Sequence, residues 1–195
     1  AAVTAMTKNM PTGPDAAGLN AGLVAVKPGD GAILALYGGK DYAVTQFSSA
    51  TDAHLQAGST FKPFCLLAAV SKGISTNTQF NGDSPVSFAQ IPEHPIPNFG
   101  NRSYGMVTLR RAVARSINTA FVALNLQIGP AATKAAAIAA GIPADTPGLD
   151  DTPTNVLGTA SPRVLDMAAA YATIAAQGTE AKPYLVARVT SSVDP

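Results

Sequence analysis

Gly58-Ser59-Thr60-Phe61-Lys62-Pro63-Phe64 sets a serine and a lysine three residues apart at the expected first turn of a helix. Side chains at i and i+3 share a helix face, so the Lys62 amine is within reach of the Ser59 hydroxyl. Pro63 marks where that helix begins, because proline is tolerated in the first turn and breaks an interior. Ser59 then sits at or next to the N-terminus, where the macrodipole favours negative charge. A serine that must carry developing negative charge, with an amine one turn away, is an activated nucleophile.

Serine and lysine are common, and roughly one Ser-x-x-Lys is expected by chance in a chain of this length. This chain contains only the one. A serine capping a helix beside a solvated lysine is the plain alternative. The apolar run from Phe61 to Val70 argues against it, since it reads as a helix buried on most sides and places Lys62 at the start of a core element.

The chain has 195 residues, 47% hydrophobic and 13% charged, enough to bury a core of domain size. The net charge of +1 gives no case for nucleic acid as a partner. No apolar stretch is long enough to span a bilayer, and no signal-peptide pattern opens the chain. Cys65 falls within the apolar helix and reads as a small buried hydrophobe. His54 and His94 stand alone, without metal-ligand spacing.

Outward from Ser59, Ala1 to Met10 has helical spacing and runs into a Pro-Gly break. Leu23 to Val26 and Ala32 to Tyr37 are apolar runs joined by Pro28-Gly29-Asp30-Gly31, which predicts a hairpin. Asp41 to Ala57 reads as a polar loop, and the Ser59 helix should stop near Gly73. Ser75 to Tyr104, with four prolines, predicts irregular exposed chain holding short strands at most. Thr108 caps a helical stretch whose apolar stripe is Leu109, Ala112, Val113, Ile117, Ala120, Phe121 and Leu124. Pro130 to Ala140 is an alanine-rich helix ended by Gly141. Ser161, with Pro162 as first helical residue, should open a helix over Arg163 to Gln177. Tyr184 to Val189 predicts a strand, followed by polar residues 190–195.

Ser116-Ile117-Asn118 lies on the Thr108 stretch. Ser116 falls inside the stripe, where the ordinary reading is a buried serine bonding back to the Ala112 carbonyl. Asn118 argues otherwise. At about 100° per residue, Ser116 and Asn118 would point to nearly opposite faces of an unbroken helix. If both face Ser59, the backbone must bend between about Ala114 and Thr119. Ser75-Thr76-Asn77 has the same spacing, but it lies in a polar loop where such residues form turns.

Ser-x-x-Lys followed by Ser-x-Asn resembles the penicillin-recognising serine acyltransferases. Gly22 to Gly31 and Ala35 to Tyr42 are similar to the opening hairpin of class A penicillin-binding protein transpeptidase domains. Gln46 to Phe64, Val107 to Val122 and Leu157 to Gly178, with its Ala170-Tyr171-Ala172-Thr173 core, are also similar to the corresponding segments. The resemblance runs in order through nearly all of the chain. It implies an α/β (α+β) fold with helices packed on an antiparallel sheet, of the β-lactamase/transpeptidase type. The family's third motif, Lys-(Thr/Ser)-Gly, is absent, and Lys27-Pro28-Gly29 has the wrong middle residue and the wrong place. Residues 1–195 are therefore expected to be a partial transpeptidase domain lacking its C-terminal strands. Residues 1–18 would be an incoming helix and linker, 19–42 the opening hairpin and 43–195 the helical part.

The resemblance implies a D,D-transpeptidase acting on peptidoglycan stem peptides and acylated by β-lactams. Ser59 would be nucleophile, Lys62 general base, Ser116 proton relay and Asn118 a hydrogen-bond partner of the substrate amide. It implies no metal or cofactor, a site in the bacterial cell envelope outside the plasma membrane, and a membrane-anchored parent protein. The remaining C-terminal part of the domain would be a partner, and residues 1–195 alone are expected to acylate poorly. The alternatives are a D,D-carboxypeptidase or β-lactamase-like hydrolase, a class B penicillin-binding protein, and a non-catalytic fragment of the fold.

Overall fold

The computed structural model describes residues 1–16 and 18–190, so the polar residues 191–195 lie outside the described part. In chain order the elements are α1 (Ala2–Asn9), β1 (Leu23–Val26), β2 (Ile33–Tyr37), α2 (Lys62–Ser71), β3 (Gln79–Asn81), β4 (Val86–Phe88), β5 (Ile91–Ile96) and β6 (Met106–Thr108). The helices α3 (Leu109–Arg115), α4 (Asn118–Ile128), α5 (Pro130–Ala139) and α6 (Val164–Ala175) follow. The described residues hold three separate two-stranded antiparallel ladders, β1–β2, β3–β6 and β4–β5. Helices and antiparallel strands mix as expected, and no helix of the described residues is long and apolar enough to cross a membrane.

Two compact units divide the chain. The first comprises Ala1–His54, Ala140–Ile142 and the chain from Arg163 onward. Its hairpin is the one the Pro-Gly-Asp-Gly turn predicts. The Lys27 N–H donates to the Ala32 carbonyl at 2.9 Å, closing the turn, and a one-residue bulge sits between Ala25 and Val26. α6 packs on β1. It starts two residues later than the Ser-Pro signal predicts: Arg163 is extended and precedes the first helical residue, Val164. The Asp166 carboxylate fixes that start by accepting from the Arg163 N–H at 3.0 Å and from its guanidinium at 2.8 and 2.7 Å. The expected strand over Tyr184 to Val189 is a correction. Tyr184 alone pairs, in a parallel bridge with Ala32, through bonds to the Gly31 and Ile33 backbone. A ladder needs successive backbone partners, and Leu185, Val186 and Val189 are exposed instead.

The second unit, Leu55–Ala139 with Pro143–Pro162, has its core around α4. Ala120, Phe121 and Leu124 are fully buried as the stripe predicts, and Val122 is fully buried as well, so α4 is enclosed more widely than one stripe. Cys65, Ala68 and Ala69 of α2, Phe80 of β3 and Val107 of β6 close around it. α2 is buried on most sides, as the apolar run predicts, with Phe64, Cys65, Ala68 and Ala69 in the core and Leu67 and Val70 turned to solvent. The proline-rich stretch 75–104 forms one short ladder, β4–β5, and supplies β3 to a second with β6, and a register shift between Val86 and Phe88 accommodates Pro92 and Pro95 opposite. A buried polar lock anchors the segment that follows α5. Asn125 donates to the Pro153 carbonyl and to Asn155 Oδ1, both at 2.9 Å, and Thr133 Oγ1 donates to Asn125 Oδ1 at 2.6 Å. Asn155 in turn donates to the Pro130 and Asp150 carbonyls. With every bond satisfied, such a network rigidifies its surroundings.

Candidate active site

Ser59 does not lie in the α-helix itself. It occupies a 3₁₀ turn, Gly58–Phe61, and α2 begins at Lys62 with Pro63 in its first turn. In a 3₁₀ turn residues i and i+3 eclipse, so the tighter winding aligns Ser59 and Lys62 better than an α-helix would. The Lys62 Nζ lies 2.7 Å from Ser59 Oγ. Ser59 is open to solvent, whereas Lys62 is only 3% exposed.

The second motif reaches the same amine. α3 ends at Arg115, and Ser116 after it adopts the left-handed conformation at φ 52° and ψ 43°. The Ser116 and Ile117 N–H groups donate back to the Val113 and Ala112 carbonyls, completing a Schellman-type stop. Ile117 is extended, and α4 restarts at Asn118. Two helices thus replace one stripe. Val113 is exposed rather than buried, and the Ala112 carbonyl is taken by the Ile117 amide and not by the Ser116 hydroxyl. The bend turns both polar side chains inward. Lys62 Nζ lies 3.0 Å from Ser116 Oγ, 3.2 Å from the Ser116 carbonyl and 2.7 Å from Asn118 Oδ1.

The orientation of Asn118 follows from its other end. Its Nδ2 donates to the Pro97 carbonyl at 2.9 Å. A carbonyl only accepts, so the amide oxygen must face Lys62. Because Asn118 is committed in this way and Ile117 has no capping side chain, α4 takes its cap from elsewhere. Asn98 Oδ1 accepts from the Thr119 N–H at 3.1 Å and from its hydroxyl at 3.3 Å. Asn98 is itself buried and held by the Gly82 and Arg102 carbonyls.

The turn bearing Ser59 is seated from the other side by residues 158–162. The Leu55, Ala57 and Gly58 N–H groups donate to the Pro162, Ala160 and Gly158 carbonyls at 3.3, 2.9 and 3.0 Å. Gly158 has φ 80°, and a Cβ there would collide with the Gly58 backbone. Asn98 and Gly158 are positioning residues that sequence reasoning missed. Asn98 sat in a stretch with no periodicity, and Gly158 carries no turn signal that separates it from other glycines.

Burial sets the electrostatics. Desolvation lowers the Lys62 pKa to about 8, against an ordinary value of 10.5. Phe121 contributes an apolar wall, its ring centroid 5.8 Å from Nζ. Cys65, by contrast, is pushed up to about 12 by burial and stays an inert thiol. When neutral, Lys62 has two N–H donors and one lone pair. Asn118 Oδ1 and the Ser116 carbonyl can only accept, so they take the donors. The lone pair is then left to the hydroxyls of Ser59 and Ser116. The arrangement can draw a proton from Ser59 and pass it along Ser116. Above the amine, Ser59, Ser116 and Asn118 open into a cleft of about 520 Å³, flanked by Phe99 and Arg115. A larger hollow of about 690 Å³, beside Leu36, Tyr42, Phe47 and Leu185, contains none of the four side chains.

A family model, that of the penicillin binding protein transpeptidase domain, matches residues 21–195. Penicillin-binding protein 1A of Mycolicibacterium smegmatis is 37% identical over 187 residues, covering 89% of this chain and 23% of the relative. Penicillin-binding protein 1A of Aquifex aeolicus is 35% identical over 173 residues, covering 88% of this chain and 23% of the relative. Among solved structures, the penicillin-binding protein PonA1 from Mycobacterium tuberculosis superposes with a TM-score of 0.81 at 34% identity, covering 92% of this chain and 48% of that one. The same protein in complex with penicillin V gives a TM-score of 0.79 at 34% identity, covering 93% and 49%. The chain thus spans about a quarter of the length of these curated relatives.

Proposed function

This chain belongs to the penicillin-binding protein transpeptidase family, and from that premise we propose that it carries the serine acyl-transfer chemistry of a D,D-transpeptidase. The observation that supports this most is the Lys62 amine, desolvated to a pKa of about 8 and 2.7 Å from the Ser59 hydroxyl. Near neutral pH a usable fraction of it is a free base, which an ordinary lysine is not.

The donor is a peptidoglycan stem peptide ending in D-Ala-D-Ala. Ser59 Oγ attacks the carbonyl of the penultimate residue as its proton passes to Lys62 Nζ. The Ser59 backbone N–H, in a first turn where amides lack intrahelical partners, stabilises the oxyanion. The C–N bond then breaks, and the leaving nitrogen takes a proton through Ser116 Oγ. Asn118, held by Lys62 and the Pro97 carbonyl, presents its amide to the donor's backbone. An amine from a second stem attacks the ester, forms the cross-link and frees Ser59. A β-lactam acylates the same oxygen by ring opening, and its former leaving nitrogen stays tethered. We read residues 1–195 as part of one transpeptidase domain, working in the cell envelope outside the plasma membrane, in a parent protein anchored there.

The test is intact mass of the full-length gene product after exposure to penicillin V. We expect one adduct, mapped to Ser59 and absent from Ser59→Ala. An unmodified wild-type protein, or an adduct that survives the substitution, overturns the assignment.

A further inference from the structure

The cleft above Ser59 has a polar floor, but its two flanks differ. On one side Phe99, in the 3₁₀ turn Phe99–Asn101, is 96% exposed. On the other stands Arg115, the last residue of α3. Of the residues lining the cleft, Arg115 alone among the described residues carries a formal charge, and none is acidic.

We infer that Arg115 is a specificity-determining residue that recognises a carboxylate on the acyl donor, set back from the carbonyl that Ser59 attacks. The inference rests on the acyl-transfer reading above. The competing explanation is a solvated cation favoured by the negative end of α3. One feature counts against it. The Ala112 and Val113 carbonyls at that end already accept from the Ile117 and Ser116 amides. The guanidinium has no hydrogen-bond or ion-pair partner among the described residues and is open to a ligand, whereas Arg110 on the same helix donates to Thr76 Oγ1. Arg115 directly precedes Ser116, whose hydroxyl contacts the Lys62 amine, so its backbone is held at a constant distance from the reacting oxygen. A planar guanidinium suits a carboxylate bidentately. A cleft with an apolar wall such as Phe99 also focuses the attraction more than an open surface does.

Benzylpenicillin and carbenicillin form a matched pair for testing this. They share the bicyclic nucleus, its carboxylate and a phenyl group. Carbenicillin adds one carboxylate on the side-chain α carbon. Second-order acylation constants would be measured for both drugs on the full-length gene product and on Arg115→Gln, Arg115→Lys and Phe99→Ala. The readout is the carbenicillin-to-benzylpenicillin ratio, in which loss of fold or of general reactivity cancels. We expect Arg115→Gln to lower the ratio about two- to fivefold, the scale of a solvent-accessible ion pair. Arg115→Lys should fall between wild type and Arg115→Gln, because the charge stays and the bidentate fork is lost. Phe99→Ala should slow both drugs and leave the ratio in place. Added salt should erode the wild-type ratio and leave that of Arg115→Gln flat. A ratio unchanged in Arg115→Gln, or lowered equally in Phe99→Ala, overturns the inference while the acyl-transfer reading stands. Failure of carbenicillin alone to acylate wild type overturns the inference, and failure of both drugs overturns both.

Discussion

Ser75-Thr76-Asn77 and Ser116-Ile117-Asn118 are the same motif by spacing, and the molecule treats them in opposite ways. Ser75 and Asn77 are both exposed. Ser75 Oγ accepts from the Asn77 N–H at 3.1 Å, and the Ser75 carbonyl accepts from the Thr78 N–H, so the segment is a local turn after α2. Ser116 and Asn118 instead converge on a buried amine 54 and 56 residues earlier in the chain. The contrast shows that the tripeptide itself carries little. What distinguishes the second copy is a backbone break that aims both side chains one way, and a lysine whose solvent has been removed. The left-handed Ser116 is part of that difference. A non-glycine residue in that region costs on the order of 1–3 kcal/mol and persists where the surroundings over-determine it.

Removing the lysine should collapse the contrast most. Lys62→Arg keeps the positive charge and loses the base, because a guanidinium stays protonated near neutral pH. General-base contributions run to about 10²–10⁴-fold, and β-lactam acylation should fall toward the upper end of that range while the circular dichroism stays native. Acylation at near wild-type rate would make Lys62 a bystander. The same amine sets the pH profile. Its folded pKa is lowered to about 8, so the neutral base is lost as pH falls through that value and is fully present above it. Acylation should therefore drop about tenfold per unit below pH 8 and level off above. A profile flat between pH 6 and 9 would break the link between burial and function.

Substituting the second motif should have a smaller effect with a split signature. Ser116→Gly relieves the left-handed strain while deleting the hydroxyl, so unfolding stability should rise by about 1 kcal/mol. Acylation should fall toward the lower end of the range given above for proton transfer. A loss of stability along with activity would mean that Ser116 is held by packing and not by its role at Lys62. Next comes the seat of Ser59. Gly158→Ala places a methyl against the Gly58 backbone at positive φ, and should cost about 1–3 kcal/mol of stability together with part of the acylation rate.

Local chemistry was legible in the sequence wherever neighbours in the chain decide the outcome. The Pro28-Gly29-Asp30-Gly31 turn joins β1 to β2, Thr108 accepts from the Arg111 N–H at the start of α3, and the angular conflict between Ser116 and Asn118 foretold the break. Where distant chain decides, it was not legible. Asn98 caps α4 from 21 residues away, so no helical period announces it. The start of α6 is the exception: Arg163 displaces the Ser-Pro signal through a contact only three residues long, with the Asp166 carboxylate, so two local signals compete and the ion pair decides between them. Tyr184 resembles the start of a strand, yet only one residue finds a partner.

The smallest effect is expected at the first copy of the motif, and it is the control for everything above. Ser75→Ala removes the acceptor of the Asn77 N–H. That amide is exposed, so water replaces the lost partner and the net cost of the bond is small. The Thr78-to-Ser75 backbone bond, the Leu109-to-Thr78 bond and the Arg110-to-Thr76 bond still hold the turn against the start of α3. Stability should change by no more than about 0.5 kcal/mol, the range of ordinary surface substitutions. The β-lactam acylation constant should match wild type within error, as should that of Asn77→Ala. The useful measurement is acylation of both variants beside Ser116→Gly in one experiment. A fall at Ser75 or Asn77 comparable to that at Ser116 would show that the turn after α2 transmits to Lys62 through the helix, and the two copies would then be parts of one device and not a motif and its look-alike.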